Sequence, residues 1–161
     1  MRALVVSDTH GDEHNLIKAL KKEGHIDLLI HAGDAQGKED EIREMAGCEV
    51  KIVLGNNDYC SELNYYEEFD FGRFRVLLTH GHKEGIYFGT DRLIYKAEEA
   101  EADIVIYGHT HIPDIGYDAD SGIYAVNPGS LTLPRQSNRK PSYMIMETDK
   151  KGDVHFTVNY L

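Results

Sequence analysis

Short apolar runs alternate along this chain with stretches whose apolar positions recur every three or four residues, which is the mark of α/β organisation. Residues 3–6 read as a first buried strand. Residues 13–23 place Leu16, Ile17 and Leu20 on one helical face, with Asp12 the expected N-cap and Gly24 the expected stop. Residues 27–30 predict a second strand, residues 38–46 a charged helix closed by Gly47, and residues 50–54 a third strand. The pattern then changes. Residues 65–71 and 74–78 flank Gly72-Arg73 as a hairpin, residues 91–102 carry Leu93, Ile94 and Ala97 on one helical side, and residues 104–107 form another buried run. From Asp114 the signals are antiparallel: a turn at 118–122, a strand at 123–126, and a final hairpin turning at 149–152 between arms 143–146 and 154–160.

The chain has 161 residues, so one domain spanning 1–161 is expected. Hydrophobic residues at 41% and charged residues at 28% place it among soluble globular proteins. Its apolar runs are too short for a transmembrane helix, and the N-terminus lacks the apolar stretch of a signal peptide, so a cytoplasmic protein with no membrane partner is expected. Cys48 and Cys60 form no framework and read as free thiols of a reducing compartment. The net charge of −11 argues against non-specific nucleic-acid binding but leaves room for a small phosphate substrate, because a local cation reverses the sign of a cleft.

Five buried runs end in potential metal ligands, each beside a glycine. They lead to Asp8-Thr9-His10-Gly11, His31-Ala32-Gly33-Asp34, Gly55-Asn56-Asn57-Asp58, Thr79-His80-Gly81-His82 and Gly108-His109-Thr110-His111. Ligands bind beyond the carboxyl ends of strands in open α/β sheets. In extended chain, residues two apart face the same side, so Asp8 with His10 and His109 with His111 would each present a pair. Carboxylate, imidazole and amide oxygen suit borderline or hard divalent ions, and the absence of cysteine from the set argues against a structural zinc knot. Asp34, alone on its strand, is the natural bridging carboxylate. One Asp-x-His or one Gly-Asp is a weak signal that most often belongs to a turn. Five such segments after five buried runs favour a two-metal site.

This ordered set, Asp8-x-His10, Gly33-Asp34, Gly55-Asn56, His80 and Gly108-His109-x-His111, resembles the calcineurin-like metallophosphoesterases. Asn127-Pro128-Gly129-Ser130 with Pro134-Arg135 is similar to the small YfcE-type phosphodiesterase branch. The resemblance implies a four-layer α-β-β-α sandwich with two mixed sheets, carrying two divalent ions at one edge. It assigns Asp8, His10, Asp34 and His111 to one ion, and Asp34, Asn56, His80 and His109 to the other. Manganese is favoured, with zinc, iron or nickel as alternatives.

Two ions close together share a hydroxide and clamp phosphoryl oxygens during in-line displacement. The expected activity is therefore hydrolysis of a small phosphate ester, foremost a phosphodiester. The family often has histidine where this chain has Asn57. An amide contacts phosphate but cannot protonate a leaving group, so turnover should be slow on poor leaving groups and faster on aryl diesters. His82 is the candidate to supply part of that help, against a plain backbone-bonded histidine. Arg135 is a candidate phosphate contact, against a structural role. His31 should pack or support a ligand, while His14 and His25 should be exposed. Tyr59, Tyr65, Tyr66 and Tyr87 include candidates for a base-stacking wall, although most tyrosines serve cores or interfaces. The alternatives are a non-catalytic metal-binding scaffold resembling the retromer's phosphoesterase-like subunit, or a nucleotide or protein phosphatase on the same fold. Self-association into a homo-oligomer is compatible with this composition.

Overall fold

In the structure, a computed structural model describing residues 1–59 and 61–161, ten strands form two five-stranded sheets. The first has the order β10-β9-β1-β2-β3, built from β1 (Arg2–Val6), β2 (Leu28–His31), β3 (Glu49–Ile52), β9 (Ser142–Thr148) and β10 (Val154–Tyr160). The second has the order β4-β5-β6-β8-β7, from β4 (Tyr66–Phe71), β5 (Phe74–Thr79), β6 (Ile104–Ile106), β7 (Pro113–Asp118) and β8 (Ile123–Pro128). Both are mixed: β1, β2 and β3 run parallel, as do β5, β6 and β8, with antiparallel strands outside them.

The unbroken apolar runs have a direct cause, since each central strand is covered on both faces. Ala3 and Val5 point between the sheets, where they meet Ile30, Val76, Leu78, Ile106 and Met144. Leu4 and Val6 point outward under the helices α1 (His14–Glu23) and α2 (Glu39–Ala46), packing with Leu16, Ala19 and Ile42. On the second sheet Leu77 and Val105 face outward to Leu93 and Ala97 of α3 (Asp91–Glu99). The layers are therefore α-β-β-α, as the resemblance implied. Among the described residues, no helix is long and apolar enough to cross a membrane.

Several boundaries differ from the pattern, for local reasons. Asp12 does not cap α1 from the N-cap position. Glu13 occupies that place, and Asp12 Oδ1 accepts the His14 N–H at 3.0 Å just ahead of it. The third helix ends at Glu99 rather than 102, because Glu101 turns to φ +52° and the Ala102 N–H folds back onto the Ala97 carbonyl. Strand β7 was hidden in a polar, glycine-containing stretch, and its place at the sheet edge explains why little of it is buried. Cys48 is a half-buried free thiol, while the expectation for Cys60 lies outside the described residues.

Candidate metal centre

The loops following β1, β2, β5 and β6 meet at one rim of the sandwich. They are laced by backbone bonds, from Asp8 N–H to the Gly33 carbonyl at 3.0 Å, His10 N–H to that of Asp34 at 2.9 Å, and Gly108 N–H to that of His80 at 3.2 Å. The ligand-bearing residues do not present their pairs from extended chain. Asp8, His10, Asp34, His109 and His111 all have left-handed backbones, with φ from +50° to +67°. Five such non-glycine residues in one rim are strained positions of the kind that concentrate at functional sites. It is this sharp local winding, and not strand alternation, that turns Asp8 and His10, or His109 and His111, toward a common centre.

Two ligand groups emerge, Asp8 with His10 and His111, and Asp8 with Asp34 and His80; within each, one ligand atom per residue lies within 4.8 Å of the others. Asp8 is thus common to both. Asp34 also lies between the groups, its Oδ2 3.5 Å from His80 Nε2 and 3.9 Å from His10 Nε2. Asn56 joins the second group through Oδ1, 3.0 Å from His80 Nε2. The His109 ring packs edge-on to His80 at 5.0 Å between centroids, and its backbone N–H donates to Asp8 Oδ2 at 3.1 Å.

Hydrogen bonds on the far sides of the rings set which nitrogens face inward. His80 Nδ1 lies 2.6 Å from the Ala32 carbonyl and His111 Nδ1 2.7 Å from that of Leu133. A carbonyl accepts only, so both Nδ1 atoms carry the proton and both Nε2 lone pairs point at the carboxylates. Among the described residues, Asp8 Oδ1 is buried without a hydrogen bond, 3.1 Å from His111 Nε2 and 3.9 Å from the Nε2 atoms of His10 and His80. Lone pairs facing lone pairs at these distances repel unless a cation lies between them. An oxygen and nitrogen donor set with this orphaned atom therefore fits divalent metal ions.

Without metal, protons fill part of that role. Burial opposes ionisation of Asp8, yet the nearby imidazoles, His111 foremost and then His80, hold its carboxyl below the usual range. Burial likewise disfavours charge on His111, but Asp8 outweighs it and raises that imidazole. Burial, then the neighbouring His80, pushes His109 down to about 4. Buried His31 also falls to about 4, a neutral ring that takes the Gly33 N–H on Nδ1 and contacts Thr9 Oγ1 through Nε2 at 3.1 Å.

The other candidates are placed as follows. Asn57 donates its backbone N–H to Asp34 Oδ1 at 2.8 Å and its amide to Oδ2 at 2.7 Å. The His82 ring is half-buried between Tyr65 and His109, 5.4 Å from the His80 ring, and its Nδ1 is buried without a partner among the described residues. Arg135 donates to the Tyr87 hydroxyl, which donates to the His109 carbonyl at 2.9 Å, so the guanidinium stands at the rim. His14 and His25 are exposed. Of the tyrosines, Tyr66 is tied to Glu84 through its hydroxyl, whereas Tyr59, Tyr65 and Tyr87 are exposed.

Supporting residues escaped the sequence reading. Asp58 accepts three backbone N–H groups, from Asp34 at 2.9 Å, Gln36 at 2.6 Å and Gly55 at 2.7 Å, and so fastens two ligand loops together. Its turn-like Asn-Asn-Asp setting was the available signal. Ser7 Oγ donates to Asp8 Oδ2 at 2.6 Å, and Ser130 Oγ to the Asp8 carbonyl at 2.9 Å. Gly55 and Gly108 are required by close approach: a Cβ at Gly55 would overlap Asp34 Oδ1, and one at Gly108 would overlap Ser7 Oγ.

A two-sheet sandwich with carboxylate and imidazole donors at one rim is the architecture of metallophosphoesterases. The calcineurin-like phosphoesterase superfamily domain matches residues 1–151, and the chain belongs to that family. It is 37% identical over 147 residues to a probable metallophosphoesterase of Bacillus subtilis, YsnB, covering 91% of this chain and 83% of the relative. Among solved structures it resembles a predicted phosphoesterase of Streptococcus pneumoniae, with TM-score 0.82, 31% identity and coverage of 99% and 88%. It also resembles a Vps29 mutant of Entamoeba histolytica, with TM-score 0.79, 27% identity and coverage of 100% and 99%.

Proposed function

We propose that this chain is a dinuclear, metal-dependent phosphodiesterase, acting on a small substrate as one domain in the cytoplasm. The observation that carries the reading is the buried, orphaned Asp8 Oδ1 shared by two ligand groups. Asp8, His10, Asp34 and His111 would hold one ion, and Asp34, Asn56, His80 and His109 the other, with manganese the favoured metal. Such ions acidify water and neutralise phosphoryl charge.

The protein's own groups orient and exclude. Asp58 and Ser7 hold the carboxylates in place. Arg135, propped on Tyr87, offers a guanidinium fork to a non-bridging phosphate oxygen. His82, whose ring lies beside those of His80 and His109, is the group available to meet a departing oxygen. Asn57 supplies hydrogen bonds to Asp34 and no proton acidic enough to transfer. Hydrolysis adds a water oxygen to phosphorus, breaks one P–O ester bond and leaves a proton on the released alcohol; with an aryl ester the leaving phenolate needs none.

Purified protein loaded with Mn²⁺ should hydrolyse bis-p-nitrophenyl phosphate, lose that activity to a chelator, and lose it to Asp34→Asn or His80→Ala. Asn57→His should raise the rate on alkyl esters at least about tenfold, within the range general acids supply. No hydrolysis under any divalent ion would favour the second reading, a metal-binding scaffold. That reading has Asn57 as its own supporting observation.

A further inference from the structure

Two joined cavities on the Asn57 side of the centre are not needed for holding metal. The nearer, about 240 Å³, is lined by Gln36, Gly37, Asn57 and Tyr59. It opens directly from the ligands, because Gln36 Nε2 is 3.1 Å from His10 Nδ1 and Asn57 bonds Asp34. The farther, about 410 Å³, shares Gly37 and Tyr59 with it and reaches the start of α2, where Glu39, Asp40, Arg43 and Glu62 form the walls. That volume is ample for one small alcohol arm of a phosphate ester.

The walls have a definite sign. Three carboxylates face one guanidinium, which leaves the wall net negative. Tyr59, at 79% exposure, leaves a ring face open where the two cavities meet. Across the centre the sign reverses. Arg135 stands on Tyr87, and Lys83 lies 3.0 Å above the ring of Tyr65, itself packed on His82. The cleft is therefore cationic on the His82 and His109 side and acidic beyond Asn57.

We propose that the double cavity is the subsite for one arm of the substrate, and that this arm is a cationic alcohol, an alkanolamine esterified to phosphate. The inference rests on the phosphoesterase reading. A second phosphate, as in a nucleoside polyphosphate, meets the carboxylates and is repelled. An ammonium group gains those carboxylates together with the open face of Tyr59.

The test compares p-nitrophenyl phosphorylcholine with p-nitrophenyl 3,3-dimethylbutyl phosphate, an isostere lacking only the charge. The choline ester should have a kcat/KM about tenfold higher. An Asp40→Asn, Glu62→Gln double variant should bring that ratio close to one. A readout independent of turnover is choline titrated into the metal-free protein, which should shift the Tyr59 ring signals in NMR and fail to do so in the double variant. Hydrolysis of both esters with equal kcat/KM, or faster cleavage of a glycerol ester than of the choline ester, would overturn the subsite and leave the phosphoesterase reading standing. Choline binding with neither ester hydrolysed would support the subsite and overturn that reading.

Discussion

The two halves of the proposed metal centre are built to different standards. In the half formed by Asp8, His10 and His111, each side chain is buried or half-buried and has a partner behind it: Ser7 behind Asp8, Gln36 behind His10, the Leu133 carbonyl behind His111. In the other half, Asp34 and His80 are equally well supported. Asn56, however, is exposed, and the His109 ring makes no hydrogen bond among the described residues, held only by packing against His80, His82 and Tyr87. Rings fixed from behind lose less freedom on binding. The first half should therefore take its ion more tightly, and the two ions should load in order.

Asp34→Asn is the harshest test, since it neutralises the carboxylate assigned to both ions. Calorimetric titration with Mn²⁺ should detect neither ion, and an unaltered binding step would break the shared role. Next come His111→Ala and His109→Ala. The former should weaken the tighter step by more than the roughly 10–100-fold typical of outer-shell changes. The latter should weaken only the looser one, and equal effects would erase the contrast. Gln36→Ala should cost the tighter step about tenfold, because its amide, turned so that the oxygen accepts from His10 Nδ1–H, would support the ring, and its loss leaves every ligand in place.

The smallest effect concerns the footing of the better-built half. The Glu13 carboxyl faces Thr9 between the two ligands, and burial pushes it up to about 7. A carboxyl whose pKa is raised on folding contributes stability at low pH that is lost as pH climbs from the ordinary carboxylate range through 7. Glu13→Gln should consequently raise the melting temperature of the metal-free protein by roughly 2–4 °C at pH 8 and leave it nearly unchanged at pH 5. A gain of equal size at both values would show that packing, and not charge, sets the effect.

Much of this architecture could be read from the chain. The apolar runs before Asp8, Asp34, His80 and His109 are unbroken and sharply ended because both faces of each strand are covered, and that is a one-dimensional signal. The candidate ligands were legible because they follow those runs. The support was not. Asp58 acts through three backbone N–H groups of two loops, and the Tyr87–Arg135 prop joins residues 48 positions apart. Neither leaves a periodic trace. The sharing of Asp8 between groups, where Asp34 alone was the expected bridge, depends on winding angles that no spacing rule contains.

Those winding angles also bear on how such a chain changes over generations. At Asp8, His10, Asp34, His109 and His111, the conformation best tolerated by glycine or asparagine is occupied by aspartate and histidine. Selection for robustness alone would let these five sites drift toward smaller residues, and a demand for the proposed ions would oppose that drift. Lineages freed from the demand should therefore lose these side chains early, while the surrounding sandwich persists almost unaltered.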